Sequence, residues 1–402
     1  MVIQVRNMEQ GLKEITKQYY AAAGISGISA YLKNDKPFFL IRLWVWISTW
    51  IILPQVTLAH IYTALFTGIP LATRFLSLSL GLDQLQTTIK CHYMLHNLNR
   101  FRSIMLDLET FNCVNHLGTE ALTTMLKMCK LVKWLRSTYN FACYFTFIAW
   151  TLVPVVSTPK ALFYAEDGVS MMKVLPPEYP FSTDYFPMVQ LIYALESFST
   201  FVILTYFAST NLIMVTDILL ICQLFRVLNE SVAPSKGRKA MTLRMFAVDH
   251  QKLLKICAEV RDLLSPLLAL QLGISVMTIT LAVFEITMVN QASSEGGINQ
   301  VVLMSRKTSY TFIIFVELLL YCWLSTELEL SCLSVRNGLY NSEWYKYEQL
   351  GTKDYRNYIM ICMRALKPVR LTAMNIVTLS LTTSMEVLRM AYSYYTYLKK
   401  LR

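Results

Sequence analysis

Few side chains in this 402-residue sequence have the types and spacing that a reaction needs. His92 and His96 lie four residues apart beside Cys91, and on a helix they would share one face, a spacing that can hold a metal ion. Because no second histidine pair lies near them, a helix surface beside a membrane is the favoured interpretation. The sequence contains no GxSxG, P-loop, HExxH or CxxC motif. We therefore predict that the protein is not an enzyme and uses no cofactor or metal.

Three acidic residues lie within otherwise apolar runs: Glu196, Glu317 and Glu386. A charge at the middle of a bilayer costs roughly 2.5 to 3.5 kcal/mol on insertion scales, so each needs a partner or water. Arg389 follows Glu386 by three residues, so the two can pair on one helix. Glu196 and Glu317 have no partner nearby in sequence. We expect them to form hydrogen bonds across helices or to sit near an interface, with the lining of a ligand or ion path as the alternative.

The composition excludes most classes of soluble protein. Hydrophobic residues make up 54% of the sequence and charged residues 16%, against about 25% charged in an ordinary globular chain. A soluble fold with so few charges could not cover that much apolar surface. The formal charge of +11 comes from basic residues spread between apolar runs, which is typical of loops beside anionic lipid. We therefore predict a protein that crosses the lipid bilayer several times and binds no nucleic acid.

Six apolar runs are long enough to cross a bilayer, which takes about 20 helical residues. They are Leu43–Phe66, Ser137–Pro159, Tyr185–Thr216, Leu263–Phe284, Thr308–Thr326 and Leu371–Leu398. A seventh, weaker run, Gly68–Thr88, contains Arg74 and Asp83. Arg74 can reach one interface, whereas Asp83 must face protein or a wet cavity. The predicted fold is therefore all-α, a polytopic membrane protein with seven transmembrane helices.

The distribution of charge predicts the orientation of these helices. Lys and Arg concentrate in the amino-terminal tail and in the intervals that follow spans two, four and six. The interval after span two runs from Lys90 to Arg136. The loop Val155–Pro187 has two lysines against four acidic residues. Because basic loops stay inside, the amino end is predicted to be cytoplasmic and the carboxyl end extracellular. A G-protein-coupled receptor has the opposite sense. The sequon Asn229-Glu230-Ser231 falls on the predicted inside and should be unused.

Several segments of the carboxyl-terminal half resemble the insect odorant receptors. The matching segments are Leu175–Phe181, Tyr321–Ser331, Trp344-Tyr345, Met363–Leu381 and Ala391–Leu398. Outside them, only the order of spans and the loop lengths agree. The Thr-Tyr and Gln-Phe ending of the related gustatory receptors is absent, and the interval Asp217–Pro266 is too short for the shared co-receptor of the family. The sequence therefore resembles an odour-tuned subunit.

This resemblance implies a subunit of a ligand-gated, non-selective cation channel at the plasma membrane of an olfactory sensory neuron, in its dendrite or cilium. Four subunits would surround one pore, and this subunit would assemble with the co-receptor as a heterotetramer. The last span would line the pore, with Tyr397 and Leu401 at its outer constriction, and Tyr394 and Lys400 beside it. A lysine near a cation pore should repel ions.

The resemblance also implies a pocket among spans two to six for a small, neutral, hydrophobic volatile. The positions that match pocket residues of relatives are Phe75, Leu78, Cys143, Thr146, Phe147, Trp150, Ser197, Thr200, Phe312 and Phe315. Their apolar and aromatic character, with few hydroxyls, is consistent with such a ligand.

We predict one membrane domain over residues 1–400. Within it, residues 38–330 would form the ligand-binding helices and loops, and residues 331–402 a cytoplasmic anchor helix and the pore-lining span. A G-protein-coupled-type receptor, a gustatory receptor, and a membrane enzyme or transporter are the alternatives.

Overall fold

The computed structural model of the chain is built almost entirely of helices. It describes residues 17, 20–21, 26–33, 37–66, 68, 71–109, 119–157, 179, 187–232, 243–292, 298–341 and 352–400. The helices are α1 (Ile28–Lys33), α2 (Phe39–Ile47), α3 (Leu53–Phe66), α4 (Leu71–His96), α5 (Leu98–Glu109), α6 (Thr119–Ser157), α7 (Met188–Val232), α8 (Leu243–Ala292), α9 (Ile298–Asn341), α10 (Thr352–Ala365) and α11 (Leu381–Lys400). A π-helical turn, Ser48–Ile52, joins α2 to α3, and strands β1 (Thr372–Ala373) and β2 (Val377–Thr378) form a hairpin before α11.

Each predicted span falls on a helix, so the all-α prediction is confirmed. Span one is α2, the π-helical turn and α3; spans two to six lie in α4, α6, α7, α8 and α9; and span seven is α11. Within the described residues, four of these units are long and apolar enough to cross a membrane by length and composition alone: Phe39–Leu65, Met188–Ser231, Leu243–Phe284 and Thr308–Asn341. The other three, α4, α6 and α11, are more polar, because they carry charges or many hydroxyl and aromatic side chains.

The start of the seventh span was predicted ten residues too early. Residues Leu371–Ser380 form the β1–β2 hairpin instead of helix, and Met374 and Asn375 turn it with φ angles of 48° and 58°. The Ile376 N–H donates to the carbonyl of Ala373 at 3.0 Å, and two positive φ angles at the central positions of such a turn match the twist of a hairpin. The turn is tied to the bundle by a hydrogen bond of 2.8 Å from the Met374 N–H to Ser265 Oγ. Apolar composition alone could not distinguish this hairpin from helix.

Helix α7 is the centre of the bundle. It packs against α9, α6, α8 and α4, and nearly all of its apolar stretch is buried. A helix that is apolar on every side fits such a position, because no face needs to meet water. Helix α7 therefore lies between the four helices that surround it.

Helices α3 and α4 approach each other closely at Gly81. A Cβ atom at this position would lie 3.1 Å from Cβ of His60, so only glycine fits without a shift of the neighbouring side chain. This close contact fixes the position of α4 against α3, and the opposite face of α4 is directed toward the interior of the bundle.

Helix α11 packs against α8 and α9 through one face only. Val387 and Ala391 are buried against Ile279, Ile314 and Leu318. The opposite face, which includes Met385, Tyr392 and Tyr397 in a longer exposed series, has no cover within the described residues of a single chain.

Candidate functional site

A small cavity of about 90 Å³ lies between α4, α6, α7 and α9. Its wall is formed by Leu80, Asp83, Gln84 and Thr87 of α4, Thr146 and Trp150 of α6, Thr200, Ile203, Leu204 and Phe207 of α7, and Tyr310, Ile313 and Ile314 of α9. On α4 and on α7 these residues follow the spacing i, i+3, i+4, i+7, which places them on one helical face. Each of the four helices therefore contributes side chains to the wall of the same cavity.

Two aromatic side chains and one acid define the cavity's character. Trp150 is 5% exposed, and its ring lies 6.4 Å from that of Tyr310 in an edge-to-face arrangement. The Tyr310 hydroxyl donates a hydrogen bond to Oδ2 of Asp83. Asp83 therefore faces both protein and cavity, as its position within an apolar run required.

The three threonines of the wall use their hydroxyl hydrogens within their own helices. Thr146 donates to the carbonyl of Ala142 at 2.8 Å, and Thr200 donates to that of Glu196 at 2.7 Å. Thr87 donates to the carbonyl of Asp83 at 3.0 Å. Because the hydrogens are used in this way, the threonines contribute methyl groups and oxygen lone pairs to the cavity.

A buried polar cluster lies two helical turns from the cavity floor. Lys90 Nζ donates to Oε1 of Glu317 at 3.2 Å, to Oδ1 of Asn211 at 2.8 Å and to Oε1 of Gln271. The Tyr321 hydroxyl also donates to Oδ1 of Asn211, at 2.8 Å. The side chain of Lys90 is 0% exposed and that of Glu317 3%. Four helices, α4, α7, α8 and α9, therefore meet at one ammonium group.

The cluster and the cavity are in register along two helices. Lys90 follows Asp83 by seven residues on α4, and Glu317 follows Tyr310 by seven residues on α9. Seven residues are about two turns, or about 10 Å along a helix. The pair Lys90–Glu317 and the pair Asp83–Tyr310 are thus successive bridges between the same two helices.

The acidic residues of the apolar runs have different surroundings. Glu317 forms its hydrogen bond across helices, as predicted. Glu196 accepts a hydrogen bond of 3.3 Å from the hydroxyl of Tyr179, and burial, together with the nearby Glu196 carboxylate, raises the pKa of Tyr179 above its usual value. Glu386 and Arg389 are exposed and form no ion pair with each other in the described part of α11.

Three of the ten predicted pocket residues line the cavity: Thr146, Trp150 and Thr200. Cys143 is buried one turn from Thr146 without lining the cavity. The remaining side chains are half-buried or exposed and also lie outside the wall: Phe75, Leu78, Phe147, Ser197, Phe312 and Phe315.

Ring contacts account for two of these outlying aromatic residues. Phe75 packs edge-on against Phe284 at 5.2 Å, and Phe147 packs edge-on against Phe201 at 5.6 Å. Phe312 is 64% exposed, on the side of α9 that faces away from the bundle.

Sequence reasoning expected Asp83 to face protein or a wet cavity, but it did not name Asp83, Gln84 or Tyr310 as residues of the ligand pocket. The polar positions of span two offered a usable signal, since Asp83, Gln84 and Thr87 share one helical face. The burial of Lys90 was not predicted either, because the sequence counts it at the start of a cytoplasmic interval and the structure buries its side chain completely.

The predicted pore residues lie on the last helix and are not part of the cavity wall. Tyr394, Tyr397 and Lys400 are exposed, and Leu401 lies outside the described residues. A second, open groove of about 1030 Å³ lies between the first half of α8 and α10, with Arg244, His250, Lys255 and Arg364 among its lining residues. Its charged and polar lining makes it a poor match for a neutral apolar ligand, whereas the mostly apolar lining of the small cavity is a good match.

Comparison with known sequences agrees with this architecture. A family model described as 7tm Odorant receptor matches residues 71–392. Odorant receptor 67c of Drosophila melanogaster is 25% identical over 151 residues, which are 37% of this chain and 34% of that relative. Odorant receptor 10 of Aedes albopictus is 19% identical over 223 residues, 53% of this chain and 56% of that relative. The matches thus span between a third and just over half of the length of these relatives.

Comparison with solved structures gives the same fold over nearly the whole length. The insect olfactory receptor OR5 of Machilis hrabei in complex with eugenol superposes with a TM-score of 0.79 at 16% identity, covering 98% of this chain and 99% of that one. The same receptor in a second structure, described without eugenol, gives a TM-score of 0.75 at 15% identity over 90% of each chain. Since the family match runs from the first residue of α4 into the last turns of α11, this chain belongs to the insect odorant receptor family, a family of multi-pass membrane receptors.

Proposed function

We propose that this chain is the odour-tuned subunit of a ligand-gated, non-selective cation channel, and that its cavity binds a small, neutral, hydrophobic volatile. The observation that carries the proposal is the cavity itself, whose wall is mostly apolar and aromatic and is contributed by four membrane helices. Such a wall suits a ligand that partitions into hydrocarbon. The relative solved with eugenol, a small aromatic molecule, supports the same size class.

The size of the cavity bounds the ligand and its affinity. A dry cavity of about 150 Å³ can hold benzene, so a cavity of about 90 Å³ requires side chains to move for a larger guest. Burying roughly 250 to 300 Å² of apolar ligand surface contributes about 7 kcal/mol. This corresponds to an affinity on the order of ten micromolar. The bound ligand opens the channel if it fits the open state better than the closed one.

The last helix supports the pore assignment. Its face away from the bundle bears Glu386, Arg389, Ser393, Tyr397 and Lys400, a series with helical spacing. Charged side chains are costly against lipid, so this stripe is better placed beside water. A water-filled passage between subunits would place these side chains beside water.

Exposed apolar side chains support assembly with other subunits, a co-receptor included. They are Ile359, Met360 and Met363 on α10, and Met385, Met390 and Tyr392 on α11. Exposed apolar surface on the pore helix and on the helix before it fits burial against neighbouring chains. We propose four subunits around one pore at the plasma membrane of an olfactory sensory neuron, with the amino end inside and the carboxyl end outside.

An odour-panel recording tests the proposed function. The chain is expressed with and without an insect co-receptor, and currents are recorded in excised membrane without nucleotide, which excludes second-messenger signalling and an ATP-driven transporter. We expect odour-evoked cation currents that need both subunits. Silence toward the whole panel in cells that display both chains at the surface would overturn the proposal. Epitope tags on each terminus of intact cells report the orientation, with only the carboxyl-terminal tag accessible.

Replacing Lys400 with glutamine is expected to increase single-channel cation conductance on the order of twofold, because a positive charge beside the pore repels cations within about 8 Å at physiological salt. Single-channel currents and reversal potentials in mixed cation solutions measure the effect. Lys399→Gln is the matched control, since Lys399 is equally charged but points about 100° away on the helix. Identical conductance and permeability in the Lys400→Gln channel would remove Lys400 from the pore.

A further inference from the structure

The polar atoms of the cavity wall are mostly hydrogen-bond acceptors. Thr87, Thr146 and Thr200 donate their hydroxyl hydrogens to backbone carbonyls at 3.0, 2.8 and 2.7 Å, so only their oxygen lone pairs remain for a guest. A guest that reaches these oxygens must bring its own hydrogen.

Asp83 adds the strongest acceptor. Its Oδ2 accepts the hydrogen bond from Tyr310, whereas its Oδ1 receives no hydrogen bond from the described residues. Gln84 lies beside it, 6% exposed, and its buried Oε1 likewise has no partner among the described residues. An acceptor that is withdrawn from water and left unpaired, as Gln84 Oε1 is, is costly, so a donor that meets it stabilises the complex.

Donors on the wall are fewer. The hydroxyl of Tyr310 is already given to Asp83, so the amide of Gln84 is one of the few side-chain donor groups that the wall offers. A ligand with only an acceptor oxygen, such as an ether, an ester or an aldehyde, therefore finds fewer partners than a ligand with an O–H group.

We infer that the ligand of this cavity is a small alcohol or phenol, whose hydroxyl donates to Oδ1 of Asp83 while its hydrocarbon part packs against Trp150 and the apolar wall. The inference rests on the proposed function and names the chemical class of the ligand. A hydroxyl suits either state of Asp83, because an ionised carboxylate accepts its hydrogen and a protonated one still offers its carbonyl oxygen.

An ammonium ligand is the main competitor for Asp83, and two features disfavour it. The cavity wall is largely apolar, so an ammonium ion would lose its hydration with one carboxylate oxygen in return. The buried Lys90 ammonium also lies two turns away on the same face of α4, and although it is paired with Glu317, it adds no attraction for a second cation.

Four probes of one skeleton test the inference: benzyl alcohol, benzyl methyl ether, benzaldehyde and benzylamine. Their dissociation constants for the full-length chain in nanodiscs follow from the shift of its melting temperature with probe concentration. We expect benzyl alcohol to bind about tenfold more tightly than the ether and the aldehyde, the gain of one hydrogen bond to a charged acceptor.

Asp83→Asn is the decisive variant. Its carbonyl oxygen remains the acceptor for Tyr310, so its NH₂ group faces the cavity and replaces an acceptor with a donor. The preference for benzyl alcohol over benzaldehyde should fall from about tenfold to about one or below. Glu196→Gln is the matched control, because it makes the same change of acid to amide beside Tyr179, away from the wall, and should keep the preference. If Asp83→Asn does not fold, Thr146→Val removes a single acceptor oxygen at constant shape and should lower the preference severalfold.

Each other outcome overturns the inference in a recognisable way. Equal or tighter binding of the ether or the aldehyde refutes the hydroxyl class and leaves the proposed function intact. Tightest binding of benzylamine shows an amine site instead. If no probe binds, the cavity is not a site for this skeleton, and the odour-evoked currents decide separately whether the proposed function stands.

Discussion

Replacement of Trp150 by alanine is expected to raise the odorant concentration for half-maximal current at least ~30-fold, or to remove the response, while both subunits still reach the surface. The indole is almost fully buried, forms one wall of the cavity and packs on the Tyr310 ring. Its removal takes away the largest apolar surface that a ligand can touch and leaves a void in its place. A loss of about 2 kcal/mol in binding free energy gives this shift.

Dose–response recordings, with surface labelling of both chains in the same cells, measure the effect. Phe312→Ala is the matched control, because it also removes an aromatic ring from a helix that forms the cavity, but from a side chain that is largely exposed. The resemblance to relatives would place Phe312 in the pocket, whereas the structure turns it outward. A shift as large in Phe312→Ala as in Trp150→Ala would show that the ligand lies elsewhere, and unchanged curves for Trp150→Ala would refute the cavity.

The helices themselves could be predicted from the sequence because a bilayer imposes a simple rule. About 20 apolar residues without charge must form a helix, since no other short structure satisfies its backbone there. Thr146 and Trp150 were named as pocket positions because they match relatives, and the structure places both on the cavity wall.

The direction in which α9 faces could not be predicted. Nearly every position from Tyr310 to Leu320 is apolar, so a buried face and an outward face look alike in the sequence. Phe312 and Tyr310 differ by only two positions, yet one is largely exposed and the other lines the cavity. Only packing against α7 and α4 decides between them.

Lys90 shows a second limit of sequence reasoning. A lysine at the end of an apolar run normally marks the edge of a membrane, which is the basis of the topology rule. Its acceptors here, Asn211, Gln271 and Glu317, lie 121, 181 and 227 residues away along the chain. No local pattern connects them, so the cluster emerges only when four helices are brought together.

This cluster leads to the largest expected effect on stability. Replacing Lys90 with methionine removes the only cation near Glu317 in the described bundle and leaves a buried carboxylate without its partner. Breaking a buried ion pair in this way costs about 3 to 5 kcal/mol, so little of the chain should reach the cell surface. Surface labelling and the melting temperature of the solubilised chain measure the loss. The control is Arg226→Met, which breaks a more exposed pair with Glu327 between α7 and α9 and should cost less than about 1 kcal/mol.

The double variant Lys90→Met/Glu317→Leu distinguishes the stability cost of an unpaired buried charge from the stability cost of a lost contact. With both charges gone, neither group is left buried without a partner, and such replacements by apolar residues are often close to neutral. Asn211 keeps its hydrogen bonds to Tyr139 and Tyr321, so much of the polar cluster survives. We expect the double variant to recover most of the surface level that Lys90→Met loses. If the double variant remains as unstable as Lys90→Met, the cost in stability comes from packing rather than from charge. If Lys90→Met is as stable as Arg226→Met, the Lys90–Glu317 pair contributes nothing to the stability of the fold.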